Sequence, residues 1–111
     1  MTKTDTLQYL FGARDAVSNM IINSTPDSDD ERKQLRNLMQ RRDRLTGAIN
    51  QVITSEFNEA AKGLDDQVSA FENKTEELNG LGKTINDVEK WIEVVDAIVQ
   101  LAAKVISVAS S

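Results

Sequence analysis

Cysteine and histidine are both absent from this chain of 111 residues. Their absence excludes disulfides, thiol nucleophiles, thiolate or imidazole metal sites, histidine general bases and a histidine pH switch. Proline occurs once and glycine five times, so turns are expected to be few and regular elements long. Long apolar runs are missing too. The most apolar stretch, Trp91 to Ala109, contains Glu93, Asp96, Gln100 and Lys104, and three charges there argue against a bilayer-spanning helix. Positive charge is in deficit, with 13 basic residues against 18 acids. A net charge of −5 sets up a field that repels polyanions such as nucleic acid.

What is present is helical periodicity. At 40% apolar and 28% charged residues, the composition is that of one globular domain, here residues 1–111. Residues 1–20 do not read as a secretory leader, because Met1 to Asp5 carries no cluster of positive charge and Arg14 and Asp15 interrupt the next segment. A cytoplasmic protein is the expectation. Leu7, Leu10, Phe11, Val17, Met20 and Ile21 recur at helical spacing. They predict a first helix over 5–24, capped by Thr4 or Asp5 and stopped before Pro26.

Ser28 followed by Glu31 forms a helix-start signal, with further acids in the first turn where the helix dipole favours them. From Leu35 through Leu38, Leu45, Ile49, Val52, Ile53, Phe57, Ala60, Leu64, Val68 and Phe71 to Leu78 the apolar spacing continues without a proline. The spacing predicts one helix over 28–79, about 75 Å long at 1.5 Å per residue. A break near Gly63 is the alternative, and would fold the chain into a compact monomeric four-helix bundle.

The third helix is predicted over 84–109, opened by Thr84 with Asp87 three residues on. With Leu78 taken as heptad position a, the a positions are Ile85, Ile92, Val99 and Ile106, and the d positions are Leu81, Val88, Val95 and Ala102. Trp91, Ile98 and Val105 widen the stripe at g. Two shorter helices folded against a very long one leave much of this stripe uncovered. The fold class expected is therefore all-α, with long antiparallel hairpins assembling into an oligomeric coiled-coil or four-helix-type bundle, dimeric or higher. Ile85, Val88, Trp91, Ile92, Val95, Val99, Ala102 and Ile106 are its candidate self-association seam.

Motifs that carry chemistry fail residue by residue. Gly82-Lys83-Thr84 resembles the end of a phosphate-binding loop, but Glu77 stands where its first glycine is required and no strand precedes it. Asp27 to Glu31 starts like a calcium loop, but Arg32 and Leu38 occupy the glycine and bidentate glutamate positions. The pairs Glu72/Glu76 and Glu89/Glu93 lack the histidines of a di-iron bundle. No catalytic residue, metal ligand or cofactor site is expected, and an enzyme is not.

The charge distribution alone has functional colour. Residues 32–44 hold six bases, Arg32, Lys33, Arg36, Arg41, Arg42 and Arg44, against one acid. Residues 48–111 hold five bases and eleven acids. The run either pairs with acidic helices of the same molecule or its copy, with Arg42 at a core position setting register, or docks an acidic partner. No aromatic interrupts it, which weighs against single-stranded nucleic acid. The function expected is a non-catalytic protein–protein interaction module, an adaptor, scaffold or small regulator whose protein partner the sequence does not name. A membrane-active or secreted protein inserting its apolar last helix is the alternative, and a nucleic-acid-associated protein using residues 32–44 the third.

Overall fold

Two capping boxes and one serine cap set where the helices begin. In the computed structural model, which describes residues 2–110, the Thr2 hydroxyl accepts from the Asp5 amide at 3.0 Å while the Asp5 carboxylate accepts from the Thr2 amide at 3.3 Å. This cap opens α1, Lys3–Asn23, slightly ahead of the expected start. The Ser28 hydroxyl accepts from the Glu31 amide at 3.2 Å and opens α2, Asp29–Thr54. α3 covers Leu64–Asn79, and a 3-10 turn at Ile85–Asp87 leads into α4, Val88–Ala109. The fold is all-helical, as expected.

The helix expected over 28–79 is two helices. Residues 55–63 are non-helical, so the chain breaks near Gly63 into the four packed helices of the alternative reading. At the break, hydroxyls compete for helix carbonyls: Thr54 Oγ1 donates to Asn50 O at 3.0 Å and Ser55 Oγ to Val52 O at 2.8 Å. Gly63 then takes φ +86°, a left-handed conformation that glycine enters without a Cβ penalty. The linker is held by a contact no local pattern encodes. The Asn58 amide donates to the Ala109 carbonyl at 2.7 Å, joining the linker to the far end of the chain.

The four helices pack in the cyclic order α1, α2, α4, α3. Lys3 Nζ reaches the Ile53 and Ser55 carbonyls at 2.9 and 3.0 Å, so α1 and α2 run antiparallel. Gln34 meets Glu89 and Arg41 meets Asp96, so α2 and α4 run parallel. α2 and α3 stand diagonally opposed, and their linker crosses the end of the bundle. The molecule measures 49 × 23 × 17 Å, far short of the length a fifty-residue helix demands.

Burial in α4 keeps the heptad but turns its register. Val88, Trp91, Val95, Ile98, Ala102, Val105 and Ala109 are buried, alternating steps of three and four residues. These are the d and g positions of the expected frame. The a residues Ile85, Ile92, Val99 and Ile106 are half-buried. The centre of the stripe follows the bulkiest side chain, since Trp91 is 1% exposed and its indole Nε1 donates to Gly82 O at 2.7 Å. Polar groups in the core are satisfied locally: Thr6 Oγ1 donates to Thr2 O and Thr75 Oγ1 to Glu72 O.

Candidate functional site

The expected self-association seam divides between the core and its flank. Val88, Trp91, Val95 and Ala102 are core residues, and Ile85, Ile92, Val99 and Ile106 flank them, half-buried. Ile92 lines an open groove with Lys33, Gln34 and Asn37 of α2.

The basic run is divided by the helix that carries it. Arg41 Nε lies 3.2 Å and Arg44 Nη1 3.5 Å from Asp96 Oδ1, fastening α2 to α4. Arg32 pairs with Asp29 at 2.8 Å on its own helix, and Lys33 shares the α2–α4 groove with Asp30, Glu89 and Glu93. Arg36 is exposed and Arg42 half-buried, and neither has an ion pair among the described residues. The six cations therefore form no single patch. Part of the run pairs inside the molecule, through Arg41 and Arg44 rather than Arg42.

Between α1 and α3 the packing opens into two adjoining cavities of about 600 and 380 Å³. Gly12 lines both, and a Cβ there would meet nothing within 4 Å. The larger cavity is walled by Asp15, Asn19, Asn79 and Lys83, with Trp91 beside them. At the smaller one Tyr9 packs edge-on to Phe71, with ring centroids 5.9 Å apart. Burial, and then the negative charge and hydrogen-bond acceptance of Glu72, push the Tyr9 hydroxyl above its ordinary pKa of 10.0. This phenol stays protonated at neutral pH and is a donor there, not a nucleophile.

The outward face of the α1–α2 hairpin is the other distinctive surface. Among the described residues four large apolar side chains are exposed, namely Phe11 at 38%, Ile22 at 75%, Met39 at 37% and Ile53 at 50%, and all four belong to this hairpin. Opposite flanks of the two helices are already occupied. Gly12, Ala16 and Asn19 turn the other side of α1 toward α3, while Arg41 and Arg44 turn the other side of α2 toward α4. On α1 the stripe runs Leu7, Phe11, Ser18, Ile22, in steps of four, seven and four. On α2 it runs Met39, Thr46, Ile53, in steps of seven. Both spacings return to one face of a helix.

Periodicity alone puts Phe11 and Ile53 in the core stripes. The overlooked signal is four apolar pairs of adjacent residues: Leu10/Phe11, Ile21/Ile22, Leu38/Met39 and Val52/Ile53. Consecutive helical residues point about 100° apart, so one of each pair turns off the core, and here it is always the second.

Among the described residues, no helix is long and apolar enough to cross a membrane. No family model, curated protein or solved structure matches this chain.

Proposed function

We propose that this protein is a non-catalytic helical interaction module, an adaptor or small regulator that acts by binding another protein through the outward face of α1 and α2. The observation that carries this reading is that, among the described residues, the four exposed large apolar side chains concentrate on one hairpin face. A bundle whose other apolar residues are covered gains nothing in stability from leaving these in water, and contiguous exposed apolar surface marks interaction sites. The α4 seam is not the partner surface in this reading, because Val88, Trp91, Val95 and Ala102 are in the core of the same chain and the residues flanking them are half-buried.

Site-specific photo-crosslinking in the native cell tests it. A photoreactive amino acid at position 11 or 22 is expected to give discrete adducts, while the same group at position 90 or 100 on the exposed side of α4 gives none. Adducts at twice the chain mass would identify a second copy as the partner. Equal labelling from both faces, or none from either, would overturn the reading.

A further inference from the structure

We infer that the occupant of the α1–α2 face is a second copy of this chain, docked by a two-fold axis that lies in the face and crosses both helices. This inference rests on the interaction-module reading and names the partner of that face. The stripes themselves carry it, because each is symmetric about its midpoint. On α1, Leu7 and Ile22 stand equally far from the junction of Arg14 and Asp15, and so do Phe11 and Ser18. On α2, Met39 and Thr46 stand equally far from the junction of Arg42 and Asp43, and so do Arg32 and Ile53. Their steps of four and seven return to one side of a helix.

The two midpoints are level. Lys3 Nζ of α1 reaches the carbonyls of Ile53 and Ser55 at the end of α2. Counted from there at 1.5 Å per residue, Arg14 and Asp15 of the antiparallel pair fall within about one turn of Arg42 and Asp43. One axis can therefore pass through both midpoints. It lays α1 antiparallel on the copy's α1, and α2 on the copy's α2. Phe11 then meets the copy's Ser18 and Met39 its Thr46, a large side chain against a small one in both places. Leu7 meets the copy's Ile22, and Ile53 meets the aliphatic stem of its Arg32.

Charge at the midpoints is balanced. Arg14 and Arg42 are half-buried, with Asp15 and Asp43 exposed beside them. The Arg14 guanidinium lies 5.0 Å from the centroid of the Phe11 ring, which holds it to the stripe. None of the four charges has an ion pair among the described residues. Reversal about the axis brings Arg14 level with the copy's Asp15, and Arg42 level with its Asp43. A partner charged with one sign would repel two of the four. An anionic lipid surface would do the same, and would also meet a molecule of net charge −5. A copy of the same face matches all four. From Arg32 to Ile53 the face is about 30 Å long, and two helices make it about 20 Å wide. The area is then about 600 Å² per copy and about 1,200 Å² in all, the lower limit of specific interfaces, so the dimer is a reversible one.

Sedimentation equilibrium of the full chain tests it. Twice the chain mass is expected at micromolar concentration, and the monomer in Ile22→Ser/Ile53→Ser. Arg14→Glu/Arg42→Glu leaves only acids at the midpoints, and Asp15→Lys/Asp43→Lys only bases. Each is expected to dimerise at least about tenfold more weakly than the parent, and an equal mixture of the two to recover the dimer. Circular dichroism verifies that every variant keeps its helices. Thiols read the direction of the axis, since the chain has no cysteine of its own. A short bismaleimide is expected to join Leu7→Cys of one chain to Ile22→Cys of another, and neither to its own kind. A monomeric parent, or a dimer indifferent to these substitutions, overturns the inference. So does a mixture of helical variants that fails to recover, or a crosslink of like to like. A monomeric parent with discrete cellular adducts from positions 11 and 22 sinks the second-copy assignment alone. A dimer that needs this face but gives no adducts in the cell sinks the module reading instead.

Discussion

Trp91 Nε1 donates to the carbonyl oxygen of Gly82 at 2.7 Å, tying the first turn of α4 back to the loop that delivers it. The indole is at once the largest buried side chain and a hydrogen-bond donor. Burying its N–H without a partner would cost more than its ring gains in specificity of packing. Replacing Trp91 by Phe removes the donor and part of the volume. The expected loss is about 1–3 kcal/mol, read as a lower midpoint in urea melts with an unchanged slope. A midpoint equal to the parent's would show that the indole bond contributes nothing to the position of the loop.

The same loop is sensitive to acid. Asp87 Oδ2 accepts from the Thr84 amide at 3.0 Å and from the Thr84 hydroxyl at 2.8 Å. These bonds, the backbone one first, hold the Asp87 carboxyl below its ordinary value of 3.8. A carboxyl depressed in the folded state stabilises the fold above its unfolded pKa, and that contribution disappears as pH falls through the folded value. Asp87→Asn should therefore melt below the parent at pH 7, with the gap closing from about pH 4 downward. A gap independent of pH would mean the charged form makes no difference to the cap.

Much of this architecture was legible in the sequence. Ser28 with Glu31, Thr84 with Asp87, and Asn79-Gly80 mark helix ends by local chemistry, so the turns at 24–28 and 80–84 lie where one-dimensional signals put them. The break at 55–63 was legible only as an alternative, marked by Gly63. Phe57, Ala61, Leu64 and Val68 keep helical spacing across it because they pack on the same core from the linker and from α3. What closes the linker, Asn58 on Ala109, joins residues half the chain apart. The register of α4 failed for a related reason. A stripe that includes positions a, d and g has no unique centre until its neighbours are placed, and α2 and α3 on either side bury d and g most deeply. The basic run was legible as charge but not as a site, since Asp96 takes two of its members.

The pairing of Asp96 with Arg41 and Arg44 lies at a partly exposed seam, with side chains 33%, 21% and 56% accessible respectively. Exposed pairs are weak, and two arginines sharing one carboxylate also repel each other. Asp96→Asn is expected to cost no more than about 1 kcal/mol in low salt. The difference from the parent should shrink at about 1 M salt, where the Debye length is about 3 Å. Thermal melts at the two ionic strengths check this. A loss that persists undiminished in high salt would mark packing of the Arg41 stem, not charge, as the source.

The turned register of α4 makes the sharpest mutational contrast. Val95 is 0% exposed at the centre of the buried row, so aspartate there would strand an unpaired carboxylate in the core. The expected cost exceeds about 4 kcal/mol, enough to unfold a domain of this size. Ile92, three residues back, borders a groove that also holds Lys33. An aspartate there keeps contact with water and has a cation nearby, so the loss should stay near about 1–2 kcal/mol, that of an ordinary point mutant. Glu93 is exposed at the rim of the same groove, and lysine in its place should change stability by less than about 0.5 kcal/mol. Urea melts of the three variants rank the positions directly. If Ile92→Asp proves as damaging as Val95→Asp, the a positions share the centre of the core, and the turned register of α4 is overturned.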